Sequence, residues 1–94
     1  MEAAAAEASS LLKALANERR LLILCQLVEG EKSVGVLADA LGLPQAIVSQ
    51  QLAILRKEGL VDNRRVAQTI YYRMEHEVAK GVLGILHEHY CKSA

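Results

Sequence analysis

Residues 33–59 read SVGVLADALGLPQAIVSQQLAILRKEG, and this stretch decides the fold. Ser33 is a suitable N-cap for a short helix, and Gly42 is a suitable stop for it. Pro44 fits the first position of a longer helix, which Gly59 ends. Two short helices joined by a tight turn that contains glycine are typical of a helix-turn-helix.

The flanking sequence predicts helices before this stretch and a β-hairpin followed by a helix after it. Alternating residues rich in Val, Thr, Ile and Tyr predict the two strands. The predicted elements are Glu2–Ala16, Glu18–Glu29 with Asn17 as its N-cap, Ser33–Leu41, Pro44–Glu58, the strands Leu60–Arg65 and Gln68–Arg73, and a last helix from Glu75 or Glu77 to about Cys91. The predicted fold class is mainly α with a β-hairpin, and we expect a winged helix-turn-helix of order ααααββα in one domain over residues 1–94.

Composition and charge narrow the class of protein. Hydrophobic residues make up 52% of the 94 residues, which excludes a disordered chain. No apolar run is long enough to span a bilayer, and the acidic, Ala-rich start does not resemble a signal peptide, so we expect a cytoplasmic protein without a membrane partner. The net charge is zero, but residues 44–73 carry +3 and the others −3, as a single phosphate-facing surface requires.

The helix that starts near Pro44 has two distinct faces. Val48, Leu52 and Leu55 recur at helical spacing and are predicted to face the core. The opposite face presents uncharged hydrogen-bonding groups beside small residues and can lie in the major groove of double-stranded DNA. A solvated polar face is the alternative interpretation. The candidate DNA-binding residues are Gln45, Ser49 and Gln50 for bases, Arg56, Lys57, Arg64 and Arg65 for phosphates, and Gln68 on the hairpin.

Three segments together resemble the ArsR family of winged-helix repressors. They are LLKALANERRL at residues 11–21, SQQL at 49–52 followed by LR at 55–56 and EGLV at 58–61, and RR at 64–65 followed by AQTIYY at 67–72. The resemblance implies a homodimer that pairs through its first and last helices and binds an inverted-repeat operator. Its two recognition helices would then lie about 34 Å apart, one turn of DNA. Pro44 departs from the family, many of whose members have a hydroxyl residue at this position.

Most members of that family sense metals, and two of their metal sites are relevant to this sequence. A Cys-x-Cys site on the third helix is absent, because the corresponding residues are Ser33, Val34 and Gly35. A second site uses carboxylate and histidine ligands on the last helix. His76 and His89 fit two of its positions, but Val78 and Lys92 occupy the other two, and neither binds zinc. We therefore expect no metal and no cofactor, with a histidine-based metal sensor as the alternative.

The two cysteines, Cys25 and Cys91, resemble the thiol pair of the persulfide- and polysulfide-sensing branch of the family. One follows an aliphatic run on the second helix, and the other ends the last helix after Tyr90. The resemblance implies that the two sulfurs approach each other and that reactive sulfur species or oxidants link them. Alone, Cys25 is more often a small core residue. The last helix carries a predicted apolar stripe of Val78, Val82, Ile85 and Leu86.

The sequence favours a regulator over an enzyme. A thiol redox enzyme would need a Cys-x-x-Cys or a cysteine in a strand-to-helix turn, and neither is present. No Gly-rich phosphate loop is present either. A winged helix that binds only protein is a further alternative, although it would not need Gln45, Ser49 and Gln50 beside basic residues.

Overall fold

A computed structural model of the chain describes the backbone of residues 2–91 and the side chains of residues 2–90. It confirms the predicted winged helix-turn-helix. The elements are α1 (Glu2–Leu15), α2 (Glu18–Val28), β1 (Lys32–Ser33), α3 (Val34–Leu41), α4 (Gln45–Lys57), β2 (Val61–Val66), β3 (Thr69–Met74), α5 (Glu77–Leu86) and a π-helical stretch, His87–Cys91, called the π segment below.

Side chains and glycine fix the helix ends, largely as predicted. The Asn17 side chain accepts the backbone N–H of Arg20 at 3.1 Å, and Ser33 Oγ accepts that of Val36 at 3.2 Å. Gly42 ends α3 in the left-handed region with φ 64°. Pro44 was predicted to be the first helical residue, but it is the N-cap, because its ψ of 141° is extended while its carbonyl accepts the first helical bonds.

The hairpin is part of a three-stranded antiparallel sheet of order β1-β3-β2. The sequence analysis missed β1, which has only two residues and no detectable alternation. It pairs with Tyr71 and Tyr72 of β3 and closes the edge of that strand. Gln68 was predicted to begin the second strand, but it lies in the two-residue turn Ala67–Gln68. The turn takes this position because Ala67 adopts a left-handed φ of 56°.

The core packs α2, α3 and α4 against the inner side of the sheet, and α5 packs against α2. Val48, Leu52 and Leu55 are fully buried, which confirms the predicted inner face of α4. The predicted apolar stripe of α5 is present, but Val78 and Ile85 lie on its exposed side, at 59% and 62% exposure. Ala79 and Leu83 take the inner positions of that helix instead.

The last helix differs from the single helix that the sequence predicts. It begins at Glu77 rather than Glu75, since His76 is its N-cap and accepts the backbone N–H of Ala79 through Nδ1 at 3.1 Å. After Leu86 the backbone widens into the π segment. Within residues 2–91, no helix combines the length and the hydropathy that crossing a membrane requires.

Candidate nucleic-acid interface and thiol site

The outer face of α4 is fixed by the residues buried beneath it. Because Val48, Leu52 and Leu55 fill the core, Gln45, Ser49 and Gln50 project outward and are exposed. The helix therefore presents amide and hydroxyl groups on a rigid support, with no charge in its first turn. Gln can pair with adenine through two hydrogen bonds, and Ser can bond to several bases.

An open groove of about 600 Å³ joins the start of α4 to the turn of the hairpin. Gln45 and Ser49 line it from α4, and Gln68 lines it from the turn. Three of the sequence-predicted residues thus share one concave surface. Ala46, a small residue of the predicted outer face, lines the groove as well, and the sequence analysis did not select Thr69 and Ile70, which also line it. Ile70 has no polar side-chain group, and only the fold shows that Thr69 and Ile70 lie beside the start of α4.

The four basic residues predicted to bind phosphate have different surroundings. Arg56 Nε lies 3.4 Å from Asp62 Oδ1, so its charge is partly compensated. Lys57 and Arg65 form no ion pair among the residues that the structure describes, although Arg65 Nε donates to the carbonyl of Ala67 at 3.2 Å. These two side chains are therefore available to a phosphate as free cations.

Arg64 forms the tightest ion pair in the described part of the chain. Its Nε and Nη2 donate to the carboxylate of Glu31 at 2.7 to 3.0 Å, and its guanidinium lies 5.3 Å from the centre of the Tyr71 ring. The hydrogen bond from Arg64 lowers the pKa of Glu31, and the hydrogen bond to Glu31 raises the pKa of Arg64. The sequence analysis did not single out Glu31, because the two residues are far apart along the chain.

Cys25 is buried on α2, at 6% exposure, among the aliphatic residues of the core. It is not a free thiol in this structure. The side chain of Cys91, its predicted partner, lies outside the described residues. The backbone of Cys91 ends the π segment, which packs against α2.

A side-chain contact joins the end of α2 to the start of the π segment. His87 Nε2 lies 3.3 Å from Glu29 Oε2, and Lys32 Nζ lies 2.8 Å from Glu29 Oε1. The hydrogen bond from Lys32 has the largest effect in lowering the pKa of Glu29, and the hydrogen bond with His87 lowers it further. The elements that carry the two cysteines are therefore neighbours in the fold.

The three histidines of the chain, of which His76 and His89 were predicted to fit metal-ligand positions, have different surroundings. His76 Nδ1 is occupied by its capping bond, and His87 contacts Glu29. His89 is exposed on the π segment, and Lys92 lies outside the described residues. In residues 2–91 no group of three or more His, Cys, Asp or Glu side chains is placed to hold a metal ion.

Comparison with known proteins identifies the family. The model of the arsR family of bacterial regulatory proteins matches residues 17–63. The transcriptional activator HlyU of Vibrio cholerae is 48% identical over 93 residues, which span 99% of this chain and 86% of that protein. This chain belongs to the arsR family.

Solved structures agree with this assignment. HlyU from Vibrio vulnificus superimposes with a TM-score of 0.92 at 52% identity, over 97% of this chain and 95% of that one. The transcriptional repressor BigR from Xylella fastidiosa does so with a TM-score of 0.88 at 41% identity, over 100% and 96% of the two chains. The homodimeric DNA-binding domain Mb0332 from Mycobacterium bovis has a TM-score of 0.77 at 35% identity, over 90% and 79%.

Membership fixes the class of activity. The related proteins are transcriptional regulators, so this ArsR-family chain is a DNA-binding transcriptional regulator and not an enzyme. One of the relatives above is named as an activator and another as a repressor.

Proposed function

We propose that this ArsR-family regulator is a cytoplasmic homodimeric repressor, one winged-helix domain per subunit, that binds an inverted-repeat operator in double-stranded DNA. Reaction of Cys25 and Cys91 with reactive sulfur species or oxidants changes the affinity of the dimer for this operator. The observation that carries the proposal is the uncharged polar face of α4, set on fully buried residues and opening into one groove with the hairpin. Bases are read by Gln45, Ser49, Gln50 and Gln68, and phosphates are bound by Arg56, Lys57, Arg64 and Arg65.

Dimerisation through α1 and α5 is supported by their exposed apolar residues. Only Leu15 of α1 is buried, while Leu12 is 55% exposed. Val78 and Ile85 are seven residues apart on α5 and so lie on one face. A second copy of the chain would cover both helices and hold two recognition helices about 34 Å apart, as consecutive major grooves require.

The thiol step needs only a persulfide as co-reactant. One cysteine thiolate attacks the outer sulfur of RSSH, so RS⁻ leaves and a cysteine persulfide forms. The second cysteine thiolate attacks the inner sulfur of that group, forms the Cys25–Cys91 disulfide and expels HS⁻. Two thiols are oxidised and one sulfur is reduced, giving the disulfide, RSH and H₂S. With a second RSSH, one extra sulfur stays in the bridge and a second RSH is released.

The bridge acts through the packing of α2 against the C-terminal helix. In the chain-entropy model, a cross-link that closes a loop of this length lowers the entropy of the unfolded chain. The folded state is thereby stabilised by about 4 kcal/mol. That value exceeds the roughly 1–3 kcal/mol of a typical allosteric coupling. Only the difference in this stabilisation between the DNA-binding and the non-binding dimer contributes to switching. The contact between Glu29 and His87 supports the pairing, because it joins α2 to the π segment that ends at Cys91.

The DNA interface predicts a specific salt dependence. Arg65→Gln is expected to weaken binding to all sequences and to reduce the slope of log K against log salt by about one, because one phosphate contact is lost. Arg19→Gln is the matched control, since Arg19 is exposed on α2, outside the basic segment and the proposed dimer interface. The measurement is fluorescence anisotropy with a labelled duplex over a series of salt concentrations. An unchanged slope for Arg65→Gln contradicts the assigned phosphate contact.

The thiol switch predicts that both cysteines are required. A persulfide donor is expected to weaken operator binding of the wild-type dimer by about 5- to 150-fold. Cys25→Ala and Cys91→Ser are expected to bind as the reduced wild type does, with or without donor, because the chain has two cysteines only. The intact mass of the treated protein counts the sulfurs in the bridge. The hypothesis fails if both variants still release DNA normally.

A further inference from the structure

The ion pair of Arg64 and Glu31 occupies the part of the arginine that would bind DNA. Both Nε and Nη2 donate to the carboxylate, which is the two-point geometry that arginine also uses with phosphate. The carboxylate offsets the charge of the guanidinium as well. Arg65, its neighbour on β2, has no acidic partner among the described residues.

The sheet register shows where the guanidinium of Arg64 is held. Arg64 on β2 and Ser33 on β1 both pair with Tyr71 on the strand between them. Glu31 precedes β1, and β1 runs antiparallel to β3, so Glu31 lies farther from the Ala67–Gln68 turn than Ser33 does. The side chain of Arg64 thus crosses the Tyr71 ring and ends at the outer edge of the sheet, away from the turn.

The pair is accessible enough to be exchanged. The side chain of Arg64 is 55% exposed and that of Glu31 is 26% exposed. Exposed ion pairs contribute little free energy and weaken as salt is added. A DNA phosphate that reaches Arg64 therefore meets a weak competitor rather than a buried structural bridge.

We propose that Glu31 is a positioning residue of the DNA interface, which holds Arg64 in a withdrawn position and lowers affinity for DNA of any sequence. The inference rests on the proposed interface, in which Arg64 binds phosphate. In the free protein Arg64 is bound to Glu31, and on DNA it exchanges the carboxylate for a phosphate. Glu31 thereby limits non-specific binding, which depends on phosphate contacts.

The test compares Glu31→Gln, Arg64→Gln and the double variant with the wild type. The probe is a fluorescent mixed-sequence duplex long enough for two half-sites, titrated at several salt concentrations. Glu31→Gln is expected to bind severalfold more tightly with nearly the wild-type slope of log K against log salt, because the same phosphate contacts form in both complexes. Arg64→Gln should bind more weakly, and the double variant should match Arg64→Gln. Glu18→Gln, which removes an exposed carboxylate on α2, outside the proposed DNA and dimer surfaces, should change neither quantity.

Each contrary result has a distinct meaning. Weaker binding by Glu31→Gln overturns the proposal, because Glu31 would then be needed to present Arg64 to the DNA. If the double variant also binds DNA more tightly than Arg64→Gln, the proposal is overturned, since the Glu31 carboxylate would then repel DNA independently of Arg64. If Arg64→Gln keeps the wild-type salt slope, Arg64 has no phosphate contact and the inference fails. The salt titration of Arg65→Gln then still tests whether the proposed DNA interface exists. Thermal unfolding of each variant checks that the fold is retained.

Discussion

Ile85→Lys is expected to give a monomer that binds an inverted-repeat duplex at least about 100-fold more weakly than the wild type. Ile85 is 62% exposed on α5, and the proposed dimer buries it. A lysine there places an ammonium group without a partner in an apolar interface, which is strongly unfavourable. Loss of the dimer also removes the second half-site contact, and linkage of two contacts typically raises affinity by about 10²- to 10⁴-fold.

Two measurements check this result. Sedimentation velocity reports the oligomeric state, and anisotropy with an inverted repeat selected from random DNA reports affinity. Leu22→Lys is the matched control, because Leu22 is 45% exposed on α2, a helix outside the proposed interface. The dimer interface is wrong if Ile85→Lys sediments as a dimer, or if Leu22→Lys dissociates equally.

Leu52→Ala is expected to destabilise the protein by about 2–5 kcal/mol, a large share of the total stability of a small domain. Leu52 is fully buried and anchors the middle of α4. Its removal leaves a cavity directly beneath the helix that presents Ser49 and Gln50. DNA binding should therefore weaken as well, because the recognition helix loses its rigid support.

Urea denaturation followed by circular dichroism measures the change in unfolding free energy. All variants are compared at one protein concentration, since dimerisation would make apparent stability depend on it. Ile54→Ala is the control on the same helix. Because Ile54 is 36% exposed, this variant should lower the free energy of unfolding clearly less than Leu52→Ala does. Equal costs for the two variants contradict the assignment of the inner face of α4.

Local signals were enough to predict the helix-turn-helix. Asn17 and Ser33 cap their helices, Gly42 ends α3, and Val48, Leu52 and Leu55 lie inside. These features depend on spacing within one element, which the sequence shows directly.

Features that depend on distant partners were not predictable. The strand β1 exists because Tyr71 and Tyr72 offer it an edge. The orientation of the Arg64 guanidinium is set by its hydrogen bonds to Glu31, which lies near Arg64 only in the folded sheet. The spacing of apolar residues on α5 could not separate the inner positions from Val78 and Ile85, since both sides of the helix are apolar.

The π segment changes how residues at the end of the chain are oriented. Its hydrogen bonds span five residues instead of four, so each turn holds more residues than a turn of α5 does. A helical wheel drawn at about 100° per residue therefore assigns wrong directions after Leu86. Cross-links, labels or ligand sets designed at His87–Cys91 need the coordinates of this wider coil.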